Sequence, residues 1–130
     1  MSSYYYTDAE KSVIKEKLLT DEALSWAQKC IRPRGDDKLN SSQLRKFYTE
    51  IKALEMLLRT ETFDVVKPQI KMLKSKVAYS CPKGGRKKDK KIPEEFKSFM
   101  YEHIEQINDK QDFKAFCLCF EAMVGFFYGE

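Results

Sequence analysis

Between Val66 and Lys91 the chain carries ten Lys or Arg residues (Lys67, Lys71, Lys74, Lys76, Lys83, Arg86, Lys87, Lys88, Lys90, Lys91) against Asp89 alone. That stretch is therefore +9, and because the whole chain is +4, the rest is −5. The chemistry open to such a set is anion binding, with a nucleic-acid backbone, a membrane surface or an acidic protein as the anion. A second polar block precedes it, Asn40-Ser41-Ser42-Gln43-Leu44-Arg45-Lys46-Phe47-Tyr48. At the positive end of a helix, the hydroxyls and amide of Ser41, Ser42 and Gln43 and the cations of Arg45 and Lys46 can all contact phosphate oxygens. This block, the Lys67 to Lys76 segment and the Lys83 to Arg86 segment could converge on one side of a helical fold.

Other chemistries lack their residues. Cys117 and Cys119 are two apart in a helical stretch, which sends them to nearly opposite sides, and no Cys-x-x-Cys or His pair completes a tetrahedral zinc site. They read as small buried hydrophobes. His103 is the single histidine and falls on the apolar side of its helix, so it reads as a core-edge side chain rather than a general base. There is no Gly-x-Ser-x-Gly, and Gly84-Gly85 lacks the spacing and Lys-Ser/Thr ending of a phosphate-binding loop. The reading is a protein without enzymatic activity, metal or cofactor.

The elements that must position the basic groups have helical spacing throughout. Leu44, Phe47, Tyr48, Ile51, Leu54 and Leu58 recur at three- or four-residue steps, and Asn40 with Gln43 forms a capping-box pattern that starts the helix. Arg45 and Lys46 then point away from the apolar stripe. A further helix is expected from about Asp64, with Pro68 in its first turn and Val66, Ile70, Leu73 and Val77 inward. Lys67, Lys71 and Lys74 stack on its other side, and their mutual repulsion argues that solvent or an anion faces them. Cys81-Pro82-Lys83-Gly84-Gly85-Arg86 ends it, opening a flexible basic loop around 80–92. Pro93 suits the first helical position of the next helix, whose inner face is Phe96, Met100, His103 and Ile107. The last helix buries Phe113, Phe116, Cys117, Phe120, Val124 and Phe127.

Before Asn40 the pattern is weaker. Asp8 to Leu19 is read as helical, followed by a short helix carrying Leu24, Ala27 and Ile31, while Tyr4, Tyr5 and Tyr6 either dock on the bundle or fray. The expected fold is all-α, a single domain over residues 1–130 built as one bundle of about five helices. Hydrophobic residues at 42% and aromatics at 13% are enough to fold by burial, and the aromatic stripes read as core rather than base-stacking platforms. No apolar run is long enough to cross a bilayer and the opening residues lack a signal-peptide pattern, so a cytoplasmic protein with reduced thiols is expected.

Three blocks follow one another along the chain: Asn40 to Tyr48, then Lys76-Val77-Ala78-Tyr79 followed by a Gly and Arg86, then the closing run Phe113-Lys114-Ala115-Phe116-Cys117-Leu118-Cys119-Phe120-Glu121-Ala122-Met123-Val124-Gly125-Phe126-Phe127. Together they resemble the small subunit of the type III-A CRISPR effector, the Csm complex. Cys81-Pro82-Lys83-Gly84-Gly85 departs from that family by being longer and more basic before the arginine. The resemblance implies a small helical protein that stacks in several copies beside the backbone subunits and lines the channel for guide RNA and target RNA, while target cleavage belongs to the backbone subunits. It implies RNA contacts from Arg45, Lys46, Lys76 and Arg86, with Lys52, Lys71, Lys74 and Lys83 extending the surface. Two other readings of the basic residues stay open on sequence: a helical DNA-binding transcriptional regulator that inserts the Gln43/Arg45/Lys46 helix in a major groove, and an adaptor for an acidic protein.

Overall fold

The computed structural model describes residues 3–35, 38–80 and 92–129. Its helices are α1 (Glu16–Leu19), α2 (Asp21–Ile31), α3 (Ser41–Leu57), α4 (Phe63–Lys71), α5 (Leu73–Ser80), α6 (Glu94–Glu105) and α7 (Lys110–Gly129). No strand forms among the described residues; the one β feature is an isolated antiparallel bridge between Tyr6 and Ile14. Since α1 is a single turn, and α4 and α5 are parted only at Met72, the body is five helical rods in an all-α fold.

Helix α7 is the central rod. Helix α2 packs on it most extensively and α3 lies on another side, while α6 joins α2 to the α4/α5 rod. This explains why Cys117 and Cys119, on opposite sides of α7, are both buried: Cys117 lies beside Glu55 of α3 and Cys119 beside Glu22 of α2. Burial pushes the Cys30 and Cys119 thiols up to about 12, and Cys117 further, so all three stay protonated and unpaired. The buried apolar side chains form one cluster, with Phe47 of α3, Phe96 and Phe99 of α6, and Phe113, Phe116 and Phe120 of α7 at its centre.

The inward stripes follow the sequence pattern. Leu44, Phe47, Ile51 and Leu58 are buried on the α3 side, Val66, Ile70, Leu73 and Val77 on α4/α5, and Phe96, Met100, His103 and Ile107 along and just beyond α6. Tyr48, Leu54, Val124 and Phe127 are half-buried at the edges.

Three expectations need correction. Helix α4 starts at Phe63, so Pro68 lies in its second turn, where it removes an internal hydrogen bond; the rod breaks soon after, at Met72. Pro93 caps α6 from outside rather than opening it. The segment from Asp8 is helical only from Glu16, because residues 5–15 instead fold back on themselves. There Thr7 donates to the Val13 carbonyl at 2.9 Å and Lys15 to the Tyr5 carbonyl at 2.8 Å. Asp8 closes the turn by accepting from the Ser12 and Val13 amides, both at 3.0 Å, and from the Ser12 hydroxyl.

The three tyrosines dock that strap onto α6 and α7. Tyr5 is fully buried; its hydroxyl lies 3.0 Å from His103 Nδ1 and donates to the His103 carbonyl at 3.1 Å. Tyr4 donates to Glu102 at 2.9 Å and Tyr6 to the Gln111 carbonyl. Lys11, with left-handed backbone (φ 56°), pairs with Asp109 at 2.6 Å and with buried Asp112 at 3.0 Å. The expected basic loop falls on residues 81–91, outside the described residues, but its flanks meet: the Ile92 amide donates to the Ser80 carbonyl at 3.0 Å.

Candidate nucleic-acid interface

The opening of α3 is held by a reciprocal cap. Asn40 Oδ1 accepts from the Gln43 amide at 2.9 Å, and Gln43 Oε1 accepts from the Asn40 amide at 2.9 Å. That satisfies helix-start amides which would otherwise lack partners, and it fixes the direction of the first turns. Gln43 therefore spends its carbonyl oxygen on the cap, while Ser41 and Ser42 stand exposed beside it.

Arg45 and Lys46 follow in the next turn, exposed, because Leu44 and Phe47 on either side take the buried positions. Neither forms an ion pair with a described residue, and α3 has no acid in its first turn to neutralise them. Two like charges next to the positive end of a 17-residue helix create a local field suited to an anion.

Helical spacing splits the pair. Lys46 lies one turn before Glu50, which faces the α4/α5 rod, whereas Arg45 shares a face with Lys52, which faces α7. Glu50 Oε2 is buried and without a hydrogen bond, and Lys76 Nζ approaches it at 3.5 Å, so the Lys46 side of α3 runs directly into the α5 basic residues. The Lys76 side chain remains half exposed, at 51%.

Three other described candidates, Lys52, Lys71 and Lys74, are engaged within the protein. Lys52 pairs with Glu55 at 3.1 Å and Glu121 at 3.2 Å and lies over the Tyr48 ring. Burial works against its charge, but the two carboxylates outweigh that and push its pKa up. Lys71 donates to the Ile104 carbonyl at 2.6 Å; burial, then repulsion from Lys67 and Lys74, pushes its pKa down. Lys74 pairs with Glu105 at 3.1 Å and stacks over Tyr101. The anion that relieves the lysine ladder of α4/α5 is thus largely the protein's own, the carboxyl end of α6. Sequence spacing shows the ladder but not where α6 ends.

Ser41, Ser42, Arg45 and Lys46 therefore stand exposed in the first turns of α3, Lys46 on the side that leads to Lys76 and Arg45 on the side that leads to Lys52, while Lys52, Lys71 and Lys74 are anchored in ion pairs or to the end of α6. Lys83 and Arg86 lie outside the described residues. The described residues that flank their segment, Ser80 and Ile92, meet at the end of α5, next to the 82% exposed Tyr79.

His103 is buried against Tyr5, Phe99 and Phe116, and burial pushes its pKa down to about 4. No group of three His, Cys, Asp or Glu side chains that could hold a metal occurs among the described residues, and none of their helices is long and apolar enough to cross a membrane.

No curated protein and no solved structure matches the chain. A family model does, the one described as Csm2 Type III-A, over residues 14–129, which takes in every helix from α1 to α7. With a match across nearly the whole chain, this protein belongs to the Csm2 Type III-A family, the small subunit of the type III-A CRISPR effector known as the Csm complex.

Proposed function

We propose that the chain is a non-catalytic subunit that stacks in several copies along the Csm effector, in the cytoplasm, and holds the backbone of guide and target RNA during antiviral defence. The observation that carries this reading is the pair Arg45 and Lys46: exposed, unneutralised by described residues, and fixed in direction by the Asn40/Gln43 cap. Lys76, reached from the Lys46 side of α3 through Glu50, would continue the surface onto α5, and Lys83 and Arg86 would extend it.

Binding of this kind is electrostatic and independent of base identity, because guide pairing reads the sequence and the protein reads phosphates. Ser41 and Ser42 would add neutral hydrogen bonds to the same phosphates. Lys52, Lys71 and Lys74 would act mainly by holding α3, α4/α5, α6 and α7 in register. A single copy offers few phosphate contacts, so affinity would come from several copies engaging one RNA with high effective concentration.

The test is Arg45→Ala with Lys46→Ala in reconstituted complexes. Each lost phosphate contact lowers the salt slope on single-stranded RNA by about 0.7, so the double variant should flatten it by roughly 1.4 for each engaged copy and weaken binding by about 25-fold or more near 0.1 M salt. The loss should be equal for unrelated RNA sequences. Unchanged affinity and slope in folded variant complexes would remove these residues from the interface.

A further inference from the structure

A second group of cations lies at the other end of α3, where the start of α7 crosses it. Arg59, just past the end of α3, and Lys110 and Lys114, in the first turns of α7, line one cleft of about 420 Å³. All three are exposed, and none pairs with a described acid. The single carboxylate of the cleft, Glu55, is taken by Lys52.

Two of these placements are unfavourable for the isolated helix. Lys110 puts a cation at the positive end of α7, and Lys114, four residues on, repels it from the same face. An anion spanning the cleft would turn both into favourable contacts. The floor is apolar: buried Leu58 and Phe113, with Leu118 left 48% exposed although large and aliphatic.

We propose that this cleft docks an acidic segment of a partner protein that inserts one aliphatic side chain against Leu58 and Leu118 and sets carboxylates on Arg59, Lys110 and Lys114. The floor favours protein over RNA. An RNA backbone would use the cations alone and leave the apolar floor idle, and a base would find no ring face to stack on, because the cleft's one ring, Phe113, is fully buried. An apolar anchor ringed by complementary charge is instead the usual layout of a small protein interface. The site is separate from Arg45 and Lys46 and does not depend on the RNA reading.

The experiment is fluorescence anisotropy of the full chain with the labelled peptide Asp-Glu-Asp-Leu-Glu-Asp-Glu and, in parallel, a labelled oligouridine. The peptide should bind saturably. Lys110→Glu with Lys114→Glu should weaken it at least ten-fold, as should replacing the peptide's leucine by serine; Arg45→Ala with Lys46→Ala should leave it unchanged. Glutamate at 110 suits a helix start, so the reversed-charge variant is expected to fold; Arg59→Ser supplies a second, uncharged variant, and circular dichroism checks both. Absence of saturable peptide binding overturns the proposal. So does a result in which these variants lose oligouridine and leave the peptide untouched, which would make the cleft an RNA surface.

Discussion

Phe120→Ala should lower the free energy of unfolding by about 3–5 kcal/mol, the range for truncating a buried aromatic ring. Phe120 is fully buried on α7, and its ring centroid lies 6.1 Å from those of Phe99 and Phe116 and 6.3 Å from those of Tyr48 and Phe96. Those neighbours belong to α3, α6 and α7, so one truncation opens a void where three helices meet, and close packing leaves little freedom for them to collapse into it. Small domains have only about 5–15 kcal/mol of stability, and a loss of this size consumes a large part of it. Urea denaturation at neutral pH is the measurement. Phe127→Ala, at the half-buried edge, should cost much less; equal costs would mean that α3 and α6 do not meet on Phe120.

Acidification should destabilise the protein well before its carboxylates titrate. His103 is held neutral because burial pushes its pKa from 6.5 down to about 4, against the pull of the negative end of α6 on which it sits. The folded state therefore binds the proton less readily than the unfolded chain. Its contribution is complete above pH 6.5 and is lost as pH falls toward 4, by about 3 kcal/mol at roughly 1.4 per unit. Asp109 titrates lower: burial raises its pKa, but hydrogen bonds from Lys11 and the Asp112 amide outweigh that and bring it below 3.8, so its share is lost only at more acid pH. Unfolding free energies at steps from pH 7 to 4.5 should thus fall steeply in the native chain and much less in His103→Gln. Parallel curves would show that His103 titrates normally and that Tyr5 does not seal it from water.

The packing around these two residues shows what a sequence can and cannot display. The stripes of α3, α4/α5, α6 and α7 are local patterns: a helix buries whatever recurs every three or four residues, and Leu44, Val66, Phe96 and Phe120 each obey that rule. The Asn40/Gln43 cap is local too. The Tyr4 to Lys15 strap is not, since its conformation is decided by Glu102, His103, Asp109 and Asp112, nearly a hundred residues away. Its chain reversal leaves no periodic trace.

The interface divides along the same line. Exposure of Arg45 and Lys46 follows from their places beside Leu44 and Phe47, and was legible. Whether a lysine faces solvent or a private partner is a tertiary fact. Lys52 meets Glu121 only because α3 and α7 run antiparallel, and Lys71 meets the Ile104 carbonyl only because α6 ends there. Charge counting alone ranks these with Arg45; geometry separates them. The cleft of Arg59, Lys110 and Lys114 has no local signature because Arg59 is distant in sequence from the two lysines and joins them only where α3 and α7 cross.

The most direct measurement of the central claim is purification of the tagged protein from its native cells at moderate salt, with sequencing of the short RNA that elutes with it. Subunit membership with RNA binding predicts a multi-subunit particle carrying uniform guide-like RNAs with a shared repeat-derived end, whose yield falls in Arg45→Ala with Lys46→Ala. Recovery of the protein alone, free of RNA and of other subunits, would contradict it.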